Sequence, residues 1–248
     1  ENLRDHWAPR MKWRVGRHGV TFNERARGLQ GLWQGLLYIT ARKGFLSHPA
    51  SPMRAFIKTR EGLDSPDALI ALQPMFVTPD VKLAKECGIT IIAQQMRPES
   101  KGSIHIKSAD ASLAPAIRFN FLSQDIDREC LLATMRITRR LMETPALAWL
   151  DPQEIAPGPK AQSDAELLDW VSRNAETTYH PVGTCRMGSD PNAVVDDKLR
   201  VHGIANLRVA DASIMPTLTS GNTNAPSIMI GEKCARMVLE EAALEKAA

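Results

Sequence analysis

A histidine in the segment TTYHPVGTCRMG, residues 177–188, is the first candidate for chemistry. Pro181 follows His180 directly and disfavours helix at the histidine, while Gly183 permits a sharp turn or a close approach. A histidine held in this way suits proton transfer, because its ordinary pKa of about 6.5 leaves it largely neutral at pH 7. It could instead be a metal ligand beside Cys185 or a packed loop residue, but no further ligands stand at metal-binding spacing.

Two asparagines lie close together in the segment TSGNTNAP, residues 219–226. Asparagine is among the best residues for capping the first turn of a helix, and Asn224 followed by Pro226 fits that role. Alternatively, Asn222 or Asn224 presents a side-chain amide at a helix N-terminus, where it donates a hydrogen bond to a substrate oxygen that develops negative charge. The spacing does not choose between capping and binding.

Asp211 ends a predicted short strand, ANLRVAD at 205–211, and is followed by Ala212 and Ser213. Its carboxylate has two interpretations. It can cap the turn that follows. It can also accept a hydrogen bond from a cofactor hydroxyl at the carboxyl end of the strand, where ligands of open α/β sheets bind.

The elements that must position these residues begin with four runs that predict β-strands, at residues 67–77, 88–96, 103–108 and 116–122. The first two are rich in β-branched and long apolar residues, and the last two alternate apolar with polar residues. Because short connections with Gly or Pro join the later runs, we expect an antiparallel sheet with one buried face.

Helices are predicted from apolar spacing and capping residues. Beyond Ser123, a candidate N-cap, apolar residues recur at helical spacing from Ile126 to Leu141. The sequence SDAE at 163–166 is a capping box that predicts a second helix. Between them, DPQEIAPGPK at 151–160 contains three prolines and one glycine and is predicted to be a loop.

The last part of the chain predicts a strand at 205–211, a turn-rich loop and a long helix from residue 226. This order is typical of anion or cofactor sites in α/β proteins. The predicted fold class is therefore α+β: an antiparallel-sheet domain with helices over residues 1–175, and the C-terminal strand–loop–helix piece of an α/β domain over residues 176–248.

Composition excludes several classes of function. The formal net charge is only +3, too small to indicate a nucleic-acid-binding protein. The 4 cysteines form no CxxC or CxxxC pair, which argues against a zinc site and a dense disulfide framework. No stretch approaches the roughly 18–20 apolar residues of a membrane span. We expect no metal and a cytoplasmic protein, membrane association being the alternative location.

Residues 179–235, from YHPVGTCRMG through TSGNTNAPSIMIGEKCA, closely resemble the C-terminal signature of the glucose–methanol–choline (GMC) oxidoreductases, nearest to their choline dehydrogenase-like branch. NLRDH at 2–6 resembles the segment that joins the flavin domain of that family to its substrate domain. RPESKGSIHIKSAD at 97–110 resembles a strand region of the same family. The resemblance covers nearly the whole chain.

The resemblance implies an FAD-dependent oxidation of an alcohol, in which hydride passes to the flavin. His180 matches the histidine that takes the hydroxyl proton, and Asn224 matches the second active-site residue beside it. Asp211 and Ala212 match a turn near the FAD phosphates and ribityl chain. Asn222 and Thr223 match a loop that passes the isoalloxazine ring. Residues 1–175 then correspond to the substrate-binding domain, and 176–248 to the catalytic loop and the C-terminal portion of the FAD-binding domain.

One element of the family is absent: no GxGxxG fingerprint follows a strand, and GLQGLWQG at 28–35 lacks its spacing. The chain also starts at Glu1 without a methionine. We therefore expect the C-terminal half of such an enzyme, with an N-terminal FAD-binding half and a small-molecule alcohol as its partners. Two alternatives remain: a hydroxynitrile lyase-like member of the family, and a cofactor-free fragment or binding module that is inactive without that half.

Overall fold

The computed structural model describes residues 1–78 and 82–247, and the side chains of all of these except 245–247. The chain divides into two compact units. The first unit comprises Glu1–His6, Met96–Asp127 and Thr177–Ala248, and the second comprises Trp7–Gln95 and Arg128–Glu176. The predicted functional boundary between residues 175 and 176 stays a prediction. None of the described helices is both long enough and apolar enough to cross a membrane.

Strands and helices are interspersed along the chain, and the third to seventh strands follow one another without a described helix between them. The strands are β1 (Trp7–Ala8), β2 (Arg10–Val15), β3 (Met53–Ile57), β4 (Ala68–Gln73), β5 (Gly88–Gln95), β6 (Ser103–His105), β7 (Ala116–Arg118), β8 (Pro152–Ala156) and β9 (Glu176–Thr177). The α-helices are α1 (Phe22–Arg25), α2 (Gly28–Ala41), α3 (Asp125–Met142), α4 (Asp164–Asn174) and α5 (Asn224–Ala247). Short 3₁₀ helices span Phe45–Ser47, Pro145–Leu150 and Ala212–Ile214.

The second unit contains a 5-stranded antiparallel sheet in the order β3-β4-β5-β2-β8. Its register places Met11 opposite Ile91, and Ala71 opposite Ile92. The expected antiparallel sheet is confirmed, but the expectation of a single buried face is wrong for its centre. Successive residues of β4 and β5 are buried, so both faces are covered there, as their continuous apolar runs require.

The two later predicted strands belong to a different sheet. In the first unit β6 and β7 form a separate 2-stranded antiparallel sheet, and the apolar residues Ile104 and Ile117 on them are exposed. Gly102 precedes β6, and a Cβ at this position would overlap the backbone carbonyl of Arg118. The close approach of the Gly102 backbone to the backbone of Arg118 therefore requires glycine.

The predicted helices are confirmed. α3 begins at Asp125, so Gln124 rather than Ser123 precedes it directly. At the start of α4 the Ser163 hydroxyl accepts from the Glu166 backbone N–H, and Glu166 accepts from the Ser163 backbone N–H at 2.9 Å, which completes the capping box.

Two predictions of local structure are wrong. Residues 152–156, predicted as loop, form β8; Pro152 is tolerated because it is the first residue of an edge strand. Residues 205–211, predicted as strand, contribute only one isolated bridge, between Arg208 and Arg200. A strand needs successive rungs, and within the described residues this segment has one.

A hydrophobic cluster in the first unit holds the segments that carry the candidate residues. It joins the loop after His180, the segment before α5 and the first turns of α5 itself. Its buried members are Val182, Val195, Leu199, Ile214, Met215, Leu218 and Ile230. Burial of these side chains fixes the backbone on both sides of the candidate site.

Candidate active site

His180 lies in the first unit, on a short stretch of chain that pairs with the N-terminal segment. Arg4 and Val182 form an antiparallel bridge with backbone hydrogen bonds of 3.0 and 2.9 Å. Tyr179 has a left-handed φ of 61° and its side chain is exposed, whereas His180 is 7% exposed. The turn at Tyr179 therefore directs the Tyr179 side chain into solvent and the His180 side chain into the protein.

Asp5 fixes the backbone around His180. Its Oδ1 accepts hydrogen bonds from the backbone N–H groups of His6, at 2.7 Å, and of His180, at 2.9 Å. Its Oδ2 accepts a hydrogen bond from the Thr177 hydroxyl. Asp5 is 3% exposed, and a buried carboxylate is tolerated when hydrogen bonds compensate for its lost hydration. Asp5 thus connects the two histidines through their backbones.

His6 contacts His180 directly. The two Nδ1 atoms are 2.9 Å apart, and the rings are perpendicular with their centroids 5.1 Å apart. The other ring nitrogen of His6, Nε2, lies 2.8 Å from the backbone carbonyl oxygen of Met96. Burial lowers the pKa of His6 to about 4; the Met96 carbonyl opposes this shift and His180 adds to it. His6 is therefore neutral at pH 7.

The opposite edge of the His180 ring faces the loop before α5. Nε2 of His180 lies 3.1 Å from Nδ2 of Asn222, and the Thr178 hydroxyl lies 2.9 Å from Nδ1. The loop thus contributes Asn222, for which the resemblance implied a place beside the flavin. Asn224, the partner implied by the resemblance, is the first residue of α5 and is exposed.

The remaining predicted site residues flank this arrangement. Asp211 is exposed and its Oδ1 accepts from the Ser213 backbone N–H at 2.7 Å, so it caps the 3₁₀ helix that begins at Ala212. Thr223 is buried, and its carbonyl oxygen accepts from the backbone N–H of Ser227 at 3.0 Å in the first turn of α5. The capping interpretation of Asp211 is confirmed, and a cofactor role for it stays a prediction.

Sequence reasoning did not assign roles to Asp5, His6 and Thr178. The resemblance of NLRDH at residues 2–6 was the available signal, and it identified a segment without a function for its side chains. His6 and His180 are 174 residues apart in sequence, and no periodicity relates positions at that separation.

Comparison with known proteins assigns the family. Residues 98–231, more than half of the chain, match the family model described as GMC oxidoreductase. The chain belongs to the GMC oxidoreductase family. The resemblance stated from the sequence is thereby confirmed, as is the α+β fold class with its antiparallel sheets.

Two curated relatives and one solved structure illustrate the similarity. An alcohol dehydrogenase [acceptor] of Pseudomonas putida is 41% identical over 90% of this chain and 40% of its own length. Oxygen-dependent choline dehydrogenase 1 of Chromohalobacter salexigens is 38% identical over 96% of this chain and 43% of its own length. A formate oxidase variant of Aspergillus oryzae RIB40, studied for FAD modification, superposes with a TM-score of 0.83 at 26% identity, covering 97% of this chain and 47% of the oxidase. The chain thus spans less than half the length of these relatives.

The first unit offers hydrogen-bonding groups to a ligand that has polar atoms, as a flavin has. The 3₁₀ helix that Asp211 caps lies against α5, whose N-terminus offers backbone N–H groups to an acceptor. Between these two elements, Thr219 Oγ1 is a buried hydroxyl that has no hydrogen-bond partner within the described residues. A buried polar atom without a partner is costly, so a ligand with polar atoms at this loop would satisfy it.

Proposed function

We propose that the protein to which this chain belongs oxidises an alcohol to an aldehyde or ketone, with FAD as the hydride acceptor and His180 as the general base. The single observation that supports this most directly is the position of His180. Its ring is almost fully buried, it contacts His6 on one edge, and its Nε2 lies 3.1 Å from the Asn222 amide on the other. A ring oriented from both edges suits directional proton transfer.

His180 would take the proton of the substrate hydroxyl at Nε2. The transfer leaves a positive charge on the imidazole, next to an oxygen that is negative once its proton has gone and that loses this charge as the carbinol hydrogen leaves as hydride. Without substrate the Asn222 amide lies at the same nitrogen, so the substrate hydroxyl would replace it there, and the released amide N–H can then donate a hydrogen bond to the substrate oxygen. Asn224, two residues further along, is the second candidate for this donor.

FAD, when bound, would supply the hydride acceptor that the side chains lack. The residues proposed to hold it are Asp211, Ala212, Asn222 and Thr223. We also propose that residues 1–175 provide the substrate-binding part and 176–248 the catalytic loop with the C-terminal portion of the FAD-binding domain. The proposed partners are then an N-terminal FAD-binding half and a small alcohol.

A test uses a protein in which this chain is joined to an N-terminal flavin-binding half. Titration with FAD should give a yellow flavoprotein, and addition of a primary alcohol without oxygen should bleach its visible absorption. Flavin that binds but is never reduced by any alcohol would favour a hydroxynitrile lyase-like activity. Failure to bind FAD at all would favour a cofactor-free module.

A further inference from the structure

The hydrogen bonds around His6 determine which of its ring nitrogens carries a proton. The backbone carbonyl of Met96 can only accept a hydrogen bond, and it lies 2.8 Å from His6 Nε2. His6 Nε2 therefore carries a hydrogen. Because His6 is fully buried and its pKa is lowered to about 4, the ring is neutral and its Nδ1 has a lone pair instead of a second hydrogen.

The state of His6 in turn determines the state of His180. His6 Nδ1 is an acceptor and lies 2.9 Å from His180 Nδ1, so a hydrogen bond between them requires a hydrogen on His180 Nδ1. The other neutral form of His180 would bring two nitrogen lone pairs face to face at this distance. That arrangement replaces a buried hydrogen bond by a repulsion and is therefore disfavoured.

The neighbours of His180 agree with this assignment. Thr178 Oγ1 lies 3.4 Å from the His6 carbonyl oxygen, to which it can donate, and 2.9 Å from His180 Nδ1, from which it can accept, so the single hydrogen on Nδ1 is shared between Thr178 Oγ1 and His6 Nδ1. On the far edge, Asn222 Nδ2 is a donor and needs a lone pair on His180 Nε2, 3.1 Å away. Each of these hydrogen bonds then has one donor and one acceptor.

We propose that His6 is a positioning residue: through the Met96 carbonyl it holds His180 in the form that is protonated on Nδ1, so that Nε2 is the basic nitrogen. The catalytic meaning of this inference rests on the proposed function, but the arrangement itself is a property of the chain. The uncharged His6 also remains an acceptor when His180 becomes cationic, and so stabilises the charge produced by proton abstraction.

The direct test is ¹H–¹⁵N NMR of the uniformly ¹⁵N-labelled chain at pH 7.5. Two-bond correlations between the carbon-bound ring hydrogens and the ring nitrogens show which nitrogen of each histidine is protonated. We expect protonated Nδ1 and unprotonated Nε2 for His180, and the reverse for His6. His180 assigned with Nε2 protonated would overturn the proposal, whether or not the flavoprotein oxidises alcohols. Conversely, the expected NMR pattern with no alcohol oxidation would leave the proposal intact and contradict the proposed function.

Two variants of His6 test the positioning role through kcat and the pH profile of kcat/KM, neither of which a merely structural residue would change in this way. His6→Asn keeps an acceptor oxygen near the position of Nδ1, whereas His6→Leu removes every acceptor. In the flavoprotein, His6→Leu should lower kcat by about 10-fold or more, less than loss of the base itself, with KM little changed. It should also shift the acidic limb of the pH profile of kcat/KM to lower pH. His6→Asn should recover most of both effects, and equal losses in the two variants would contradict the positioning role.

Discussion

His6 and His180 face each other through Nδ1 atoms that are 2.9 Å apart, although 174 residues separate them in the sequence. A single oxygen of Asp5 accepts from the backbone N–H groups of both. The N-terminal segment thereby holds His180 at two places: Asp5 binds its backbone N–H, and His6 contacts its ring. The candidate base is consequently part of a buried network and not an isolated loop histidine, and the network can be tested at each of its members.

The first prediction concerns His180 itself. In the flavoprotein, His180→Ala should lower kcat by about 10²–10⁴-fold, the usual contribution of a general base, while the bound FAD stays stoichiometric. Stopped-flow reduction of the flavin by an alcohol measures the effect. His202→Ala is the matched control, because His202 is an exposed histidine of the same unit whose side chain lies 3.0 Å from the Gly188 carbonyl oxygen, outside the candidate site. Similar losses in the two variants would remove His180 from the mechanism.

The second prediction separates the two asparagines. Asn222→Ala should lower kcat by about 10²–10³-fold, because it removes the amide that lies at His180 Nε2 and can reach the substrate oxygen. Asn224→Ala should cost less than about 10-fold, because Asn222, although also exposed, has its amide 3.1 Å from His180 Nε2, whereas Asn224 is the first residue of α5. The two rates, measured under the same conditions, form a matched pair. A larger loss from Asn224→Ala would support instead the pairing that the family resemblance implies.

Sequence predicted much of the fold and part of the site, for identifiable reasons. β4 and β5 were predictable because their apolar runs are long, and α4 because its capping box is local. β8 was missed because Pro152 reads as a loop signal unless the strand is known to lie at a sheet edge, which only the tertiary structure reveals. Residues 205–211 were predicted as a strand because their local pattern is strand-like. Whether such a segment forms a strand depends on pairing partners that its own sequence does not specify.

The site divides in the same way. His180 was predictable because its proline and glycine neighbours mark a constrained loop. The contact of Asn222 with His180 was not predictable, because two amides two residues apart have equal chemistry and only the path of the backbone decides which one reaches the ring. His6 was missed because nothing local distinguishes it from an exposed histidine.

The third prediction concerns stability against pH. The pKa of His6 is about 4 in the folded protein and about 6.5 in the unfolded chain, so the unfolded state binds more protons between these values. The free energy of unfolding should therefore fall as the pH is lowered from 6.5 to 4, by about 3 kcal/mol from this residue. Above pH 6.5 the contribution of His6 does not change. Urea titrations at several pH values measure the slope.

His6→Asn is the control for that slope, because asparagine does not titrate. The difference in unfolding free energy between the wild type and this variant should shrink steadily between pH 6.5 and 4. A difference that stays constant over this range would mean that His6 is not held neutral by burial.

The fourth prediction concerns Asp5. Asp5→Ala should destabilise the first unit by about 2–5 kcal/mol, because it leaves two buried backbone N–H groups without their acceptor. Asp5→Asn keeps a side-chain oxygen for both N–H groups and should cost about 1–2 kcal/mol, through loss of the charge that strengthens these bonds and the one from Thr177. Urea unfolding at pH 7 compares the two variants. If alanine and asparagine cost the same, the side-chain oxygen of Asp5 is not what holds these N–H groups. The loop of the candidate base must then be held by its other backbone bonds, such as those from Val182 to Arg4 and from Thr178 to His6.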